Sequence, residues 1–370
     1  MYEALNLTDW PFKVVPDPEF AKIWAGRSQT KKDIDHLIWK MQFTPKSNMR
    51  LLWANFGMGK THTLLHLRYL CEQTKNKLVP VYAVMPSKPT GFLDIYRVIV
   101  SELPLGFLGD QLVKLGNNSS GSVSLHPMFS KSPGVVSALL AFRTGDFEKT
   151  IAAQQWLRAQ PGLSAKELKT IGVSYRIKTA EDAVNALTSL AQLATYKAPQ
   201  VGKLVVLLDE YQRIGELREK VRSDINAGIH SLYNANSTGM ELLLTFSFGN
   251  QENVMYFLSS ELKSRVELQN IKLDLLSKSE AVEFLRDILA QFRIKNNEYW
   301  AFPFSPDAIM ELVTIISEEK ALTPRRIMQY ADHVLMERLS SDIPLNADHI
   351  TVADIRKILD VSQLGALDVD

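Results

Sequence analysis

Cysteine is almost missing from this chain of 370 residues: Cys71 stands alone, so no intrachain disulfide can form. A zinc site built on cysteines is excluded with it. A reducing, cytoplasmic setting is the expectation. Charge of one sign is missing too. Lys plus Arg is 42 and Asp plus Glu is 41, for a formal net charge of +1. Whole-molecule charge therefore gives no reason to expect nucleic-acid binding, and any such surface must be local. No apolar run approaches the ~18 residues needed to cross a bilayer, so no membrane partner is expected. Met1-Tyr2-Glu3-Ala4 is not the basic-then-apolar start of a signal peptide. There is no internal repeat and no coiled-coil pattern. The seven histidines show no metal-ligand spacing. His62 and His66 share a helix face, but no third ligand accompanies them, and His62 is expected to pack behind a loop.

What is present is an ordinary globular composition, 46% hydrophobic and 22% charged, enough to bury a large core. Trp10-Pro11-Phe12 and Pro16-Asp17-Pro18 read as turn and extended signals. Ile34, Leu37, Ile38 and Met41 predict a helix over 28–42. A short apolar run, 49–54, precedes Asn55-Phe56-Gly57-Met58-Gly59-Lys60-Thr61, and a helix follows with Leu64, Leu65, Leu67, Leu70 and Cys71 inward. Residues 78–85 read as a strand and 92–103 as a helix, the opening of a parallel α/β sheet. The stretch 116–122 reads as a flexible loop by composition. Capping patterns at Ser164/Glu167, Thr179/Asp182 and Ser277/Glu280 mark helix starts. Strands are expected at 204–208 and 241–248, and a last one at 267–273. Helices are expected at 218–234, from the end of the 241–248 strand to about 263, and then at 278–292, 306–317, 324–339 and 351–359.

The loop at 54–61 carries the chemistry. A phosphate needs several backbone N–H donors, and a helix N-terminus supplies them. Gly57 and Gly59 let the backbone come close. Lys60 reaches toward β- and γ-phosphates, and the Thr61 hydroxyl suits Mg²⁺. A solvent-exposed lysine on a glycine-rich turn is the plain alternative. The second feature is an apolar strand ending in Asp209-Glu210. Both faces of such a strand are buried, and ligands sit at its carboxyl end. Asp209 then holds Mg²⁺ and Glu210 polarises an attacking water, although a solvated loop end also fits the dipeptide alone. Ser247 is the polar candidate at the end of the next strand, with Thr245 and Asn250 behind it; a loop-capping serine fits equally. Arg265 can point across a subunit interface at a neighbour's γ-phosphate, or simply sit at a helix C-terminus. Arg325, after Pro324, can reach a nucleotide from a lid, or lie on a helix surface.

Together and in this order, these features resemble an AAA+ ATPase over about residues 22–360, nearest the initiator (origin-recognition-like) clade. The run from Asn55 to His62 is similar, more closely, to ATP-binding proteins associated with BREX-type phage-defence systems. Those carry an aromatic-Gly-x-Gly-Lys-Ser/Thr-His loop and a long helical insertion, which Trp156 to Ala186 resembles. The opening from Leu7 to Phe20 is also similar to secretion- and transposition-regulator ATPases. The resemblance implies an α/β fold, an αβα P-loop NTPase (AAA+) with a parallel sheet. It implies a nucleotide-binding domain over 1–276, a helical insertion at about 104–178, and a helical lid with a short tail over 277–370. It implies ATP and Mg²⁺. Gly26 and Arg27 would border the adenine pocket. Asn55, Phe56, Gly57, Met58, Gly59, Lys60, Thr61, His62 and Arg325 would line the nucleotide. Thr61 and Asp209 would bind the metal, and Lys60, Glu210, Ser247 and Arg265 would serve catalysis. Two departures stand out: Ala54 replaces the first glycine of the P-loop pattern, and the gap from Lys60 to Asp209 is long, about 150 residues.

Residues 131–178 hold eight Lys or Arg against three acids, a local +5. This segment is expected either to track a phosphate backbone or to be the solvated face of a helical bundle. The chain's end at Asp370 leads us to expect no appended winged-helix domain, and a frayed tail at 368–370. The function expected is ATP hydrolysis that drives homo-oligomerisation or signals to an effector protein, in phage defence or mobile-element control. The rival expectations are a non-hydrolysing ATP-dependent scaffold or DNA clamp, and a transposition-type regulator on duplex DNA.

Overall fold

The structure, a computed structural model, describes residues 5–15, 17–75, 77–118, 126–196, 202–266, 270–294, 300–319, 321–340 and 349–359. In chain order its main elements are α1 (Ser28–Phe43), β1 (Asn48–Trp53), α2 (Lys60–Glu72), β2 (Leu78–Val84), α3 (Phe92–Ser101), α4 (Leu105–Asn118), α5 (Gly134–Arg143), α6 (Phe147–Leu157), α7 (Ala165–Thr170) and α8 (Ala180–Ala194). There follow β3 (Lys203–Asp209), α9 (Glu219–Ala235), β4 (Met240–Phe246), α10 (Gln251–Tyr256), α11 (Ser260–Lys263), β5 (Ile271–Lys272), α12 (Lys278–Gln291), α13 (Pro306–Glu319), α14 (Pro324–Ser340) and α15 (Val352–Ile358). Contacts group the chain into two compact units. One comprises residues 35–54 and 67–272, the other residues 1–34, 55–66 and 273–370.

The first unit is built on a five-stranded parallel sheet in the order β2-β3-β4-β1-β5. β3 and β4 are buried along their whole length, as apolar strands covered on both faces must be. β2 carries Pro80 and pairs only with β3; an edge strand tolerates proline because its missing N–H faces away from the ladder. β4 lies between β1 and β3, which sets Thr245 and Ser247 beside the end of β3. The expected last strand shrinks to Ile271–Lys272, and its start at 267–269 lies outside the described residues.

The expected helical insertion packs into the core of this unit. Trp156 is buried and its indole N–H donates to the Tyr175 carbonyl at 2.7 Å. The Tyr96 hydroxyl of α3 donates to the Leu157 carbonyl at 2.6 Å, and the Arg97 guanidinium donates to the Ala159 carbonyl. Phe129, Leu139, Trp156 and Leu187 share one apolar cluster with the sheet residues Val81 and Val206. The flexible loop expected at 116–122 is corrected in part: Gly116, Asn117 and Asn118 close α4, whose inward leucines Leu108, Leu112 and Leu115 outweigh the loop-like composition at its end. Residues 119–122 lie outside the described ones, as does the tail at 368–370.

The second unit is helical. Ser277/Glu280 and Thr351/Asp354 form reciprocal capping boxes, which satisfy amides that no helix turn can reach. The N-terminal arm belongs here. Leu5, Leu7 and Phe12 are buried among Leu285, Phe292 and Phe304. The Thr8 amide donates to the Phe292 carbonyl at 2.7 Å, and the Trp10 indole to Asp332 at 2.6 Å. Among the described residues no helix is long and apolar enough to cross a membrane. Cys71 is buried, and burial pushes its thiol pKa up, so it stays protonated and inert.

At the amino edge of the sheet three neighbouring strands share a buried ion network. Glu241 of β4 accepts from Arg50 of β1 at 2.7 Å, from Lys203 of β3 at 3.1 Å and from Asn48 at 3.0 Å. Glu241 and Lys203 are fully buried, and Lys203 also donates to the Lys46 carbonyl at 2.7 Å. Removing one member leaves cations without a counter-charge in the interior. Glu241→Ala is expected to lower stability by about 3–5 kcal/mol, read as a fall in the urea midpoint. A variant within about 1 kcal/mol of the parent would show that the network has no stabilising role.

Candidate functional site

The chain leaves the sheet at its carboxyl edge, where the Ala54 amide donates to the Phe246 carbonyl at 3.2 Å. Ala54 is not among the described residues with positive φ, so its methyl group brings no backbone strain where the full loop pattern has glycine. Gly57 and Gly59 do turn left-handed, at φ +74° and +88°, which L side chains resist. α2 starts directly at Lys60. The Gly59 carbonyl accepts from the Thr63 amide and hydroxyl, each at 2.9 Å. Lys60 is buried; its Nζ donates to the Asn55 carbonyl at 3.0 Å and lies 5.5 Å from the Phe56 ring centroid. Phe56 itself is exposed.

Several neighbours in the same unit hold this loop. Arg27 donates from Nη1 to the Met58 carbonyl at 2.7 Å and from Nη2 to the Asp274 carbonyl at 2.6 Å. Burial pushes its pKa down to about 10, with Glu280 and Asp274 opposing, so it remains a cation at neutral pH. The Arg325 amide donates to the Gly57 carbonyl at 3.2 Å, and a Cβ on Gly57 would come within 3.2 Å of the Arg325 Cβ. The Arg325 side chain is exposed at the start of α14. Behind the loop, His62 bonds the Ile23 carbonyl through Nε2 at 2.8 Å. An oxygen acceptor requires the proton on Nε2, and burial lowers the pKa of the ring, with the Ile23 bond opposing. His62 is therefore neutral and turned toward residue 23, as expected of a packing residue.

The acidic pair lies in the other unit, at the carboxyl end of β3. Asp209 is buried, and its Oδ1 accepts from the Thr245 hydroxyl at 2.5 Å and from the Glu210 amide at 2.8 Å. The Tyr82 hydroxyl donates to Oδ2 at 3.2 Å; burial, then the adjacent carboxylate, raises the tyrosine pKa. Glu210 is left-handed, at φ +59°, an unusual conformation for a residue with a side chain. Its carboxylate accepts from Gln212 Nε2 at 2.7 Å and lies 3.8 Å from the Arg213 guanidinium. Gln212 Oε1 in turn accepts from the Ser247 amide at 3.2 Å, so one side-chain amide ties the end of β4 to Glu210. The Ser247 hydroxyl is buried with no hydrogen-bond partner among the described residues.

The structure thus assembles Arg27, Asn55, Gly57, Met58, Gly59, Lys60, His62 and the Arg325 backbone in one place. It assembles Asp209, Glu210 and Ser247 in another. Arg265 is exposed just beyond α11 and joins neither group. Sequence reading missed Gln212 and Tyr82. Neither lies in a recognisable motif; Gln212 reaches Glu210 only because a 3-10 turn follows β3, and Tyr82 reaches Asp209 only because β2 pairs with β3 in the register Val84 to Asp209. Among the described residues no three His, Cys, Asp or Glu cluster to hold a metal. A threonine hydroxyl such as that of Thr61 and a carboxylate such as that of Asp209 are each the kind of oxygen donor Mg²⁺ takes.

A parallel sheet in this order, with a glycine loop leading from β1 into α2 and an acidic pair closing β3, is the fold of the AAA+ P-loop NTPases. The solved structure of the Aeropyrum pernix ORC1 protein in complex with DNA is similar, with a TM-score of 0.50 and 13% identity over 97% of this chain and 70% of that one. CDC6P from Pyrobaculum aerophilum aligns at a TM-score of 0.47 and 13% identity, over 96% of this chain and 70% of that one. Domain III of the Thermotoga maritima replication initiation protein DnaA aligns at 0.45 and 11%, over 94% and 98%. The chain belongs to the family of the BREX system ATP-binding protein BrxC/D, whose profile matches residues 128–329. That match contains Asp209, Glu210, Ser247, Arg265 and Arg325 and begins after the glycine loop. No curated protein matches the chain.

The His62 environment predicts a pH effect. Its folded-state pKa lies below the ordinary 6.5, so the unfolded chain binds more protons and stability falls as pH drops below that value. Urea midpoints measured at pH 7.5 and pH 5.5 should converge for His62→Gln, which cannot titrate, relative to the parent. An unchanged difference between the two midpoints would reject the assignment.

Proposed function

We propose that this chain binds ATP on the loop 55–61 and hydrolyses it with Glu210 as the general base, as an ATP-driven component of a BREX-type phage-defence system. Membership of an ATP-binding family and the AAA+ fold support nucleotide binding. The observation that carries the hydrolytic reading is the carboxylate pair at the carboxyl edge of the sheet. Asp209 is buried and held by Thr245, and Glu210 projects from a left-handed residue next to it. In this reading the amides of the loop and the α2 N-terminus bind phosphate oxygens, and Lys60 leaves the Asn55 carbonyl to neutralise them. Magnesium, when bound, supplies further charge neutralisation; Thr61 and Asp209 are the ligands we assign to it. Glu210 takes a proton from water while the water oxygen attacks the γ-phosphorus and the bond to ADP breaks. Residues 277–370 act as the lid, Ser247 as the polar group at the γ-phosphate, and Arg265, exposed on the surface, as the residue that reads a neighbouring subunit's nucleotide. Hydrolysis then loosens the oligomer and passes a conformational signal to an effector protein.

A second reading keeps ATP as a structural ligand with negligible turnover. The Glu210 carboxylate is already engaged by Gln212 and Arg213, which favours a held state over a working base. Contact with nucleic acid is a further proposal for 131–178. Within that segment Arg143 pairs with Asp110 at 3.1 Å and Arg176 with the Leu163 carbonyl, while Lys131, Lys166, Lys169 and Lys178 are exposed.

Steady-state phosphate release, with and without DNA, separates the readings. Glu210→Gln is expected to cut turnover by about 100-fold or more while ATP binding persists, and Lys60→Ala to abolish binding. Turnover by Glu210→Gln at the parent rate would remove Glu210 from the mechanism. Size analysis should show a larger species with ATP than without, and Arg265→Ala should lose that shift while still binding ATP; retention of the shift would exclude Arg265 from the interface.

A further inference from the structure

By resemblance the Gly-Arg pair borders the adenine. Its geometry points elsewhere. Gly26 and Arg27 are both left-handed, at φ +59° and +47°, and for the arginine this is a strained choice. Five bonds hold the turn. The Gly26 amide donates to Asp287 at 2.9 Å, the Gly26 carbonyl accepts from the Trp24 indole at 2.8 Å, and the Arg27 carbonyl accepts the first helical bond of α1, from Lys31 at 3.0 Å. The other two are the fork itself, with Nη1 on Met58 and Nη2 on Asp274. Both acceptors are main-chain carbonyls. The arginine is buried, with 9% of the residue exposed.

A trans peptide unit sets its C=O and N–H in opposite directions. Whatever holds the Met58 carbonyl therefore aims the Gly59 amide the other way. The same logic runs along the loop. The Arg325 amide holds the Gly57 carbonyl, which turns the Met58 amide away from it, and Thr63 holds the Gly59 carbonyl, which turns the Lys60 amide away. Three successive carbonyls are each fixed by a partner, so the amide that follows each one faces away from that partner. Only one of the three is held by a side chain from outside the loop and its helix.

We propose that Arg27 is a positioning residue for the phosphate-binding loop: its guanidinium holds the Met58 carbonyl so that the Gly59 N–H faces the phosphate, and it does not read the base. This deepens the nucleotide reading and rests on it. The consequence is a defect common to every ligand that carries the polyphosphate, whatever its base.

The test is calorimetric titration of the full chain with ATP, GTP and inorganic tripolyphosphate, for the parent, Arg27→Ala and Arg27→Lys. Arg27→Ala is expected to weaken all three ligands by a similar factor, about tenfold or more for a lost charged hydrogen bond, with the ATP-to-GTP preference unchanged. Arg27→Lys keeps the charge and one bond and should recover part of the loss for all three. It also decides the question if Arg27→Ala does not fold. In the nucleotide-free protein, amide hydrogen exchange at 58–60 should rise in both variants, a local signal that a general loss of stability would spread across the chain. The proposal is overturned if the loss is confined to ATP with tripolyphosphate unaffected, or if neither variant weakens binding. A parent that binds none of the three ligands is a different failure, that of the nucleotide reading itself, and is seen before any variant is compared.

Discussion

A loop that grips phosphate must show its amides to the ligand, and every amide turned toward the ligand turns a carbonyl away from it. Those carbonyls need partners, because a buried acceptor without one costs free energy. Here the partners are the Arg325 amide, the Arg27 guanidinium and Thr63. This requirement accounts for features that otherwise look unrelated: a left-handed arginine before α1, a glycine at 57 against the start of α14, and a helix that begins at Lys60 itself.

The acidic half follows a different rule. A carboxylate at the end of a buried strand must be solvated by the protein, and Asp209 is held by Thr245, Tyr82 and the next amide. Glu210 breaks into the left-handed region immediately afterwards, which carries its side chain out of the strand's alternation and into reach of Gln212. Strain of about 1–3 kcal/mol at such a residue persists only where surrounding bonds fix it, and the Glu210 amide has two acceptors, Asp209 and Thr245. Gln212 adds a link between this residue and the end of β4, so a change at Ser247 has a direct route to the carboxylate.

The opposite edge of the sheet is ordered by charge. Glu241 with Arg50, Lys203 and Asn48 fastens three strands where their chain connections do not. The long segment between the glycine loop and β3 is ordered by apolar burial instead. Bonds from Tyr96 and Arg97 to the Leu157 and Ala159 carbonyls tie it to α3, and Lys131, Lys166, Lys169 and Lys178 lie on its exposed surface. Others of its basic residues already have partners, which leaves a smaller free cationic surface than the local +5 suggests.

Much of this was readable in the amino-acid order. The glycine loop, the apolar strand ending in Asp209-Glu210 and the capping boxes are local signals, and local backbone chemistry places the corresponding helices and strands within a residue or two of where they stand. The parallel sheet and the AAA+ class follow from that order of elements. Reading failed where a partner comes from far along the chain. Nothing in the neighbourhood of Arg27 says that its acceptors are the carbonyls of residues 58 and 274, nothing near Gln212 says that it meets the Ser247 amide, and nothing near Tyr82 says that it meets Asp209. Arg50 sits unremarked in an apolar run until β4 brings Glu241 within its reach. Sequence alone determined most of which segments become helix, strand and loop, because those choices depend mainly on neighbours a few residues away; the end of α4 and the short β5 are the exceptions. Tertiary structure alone decided which polar groups satisfy one another, because a buried donor is paired by whatever the fold brings within about 3 Å, however distant in the chain.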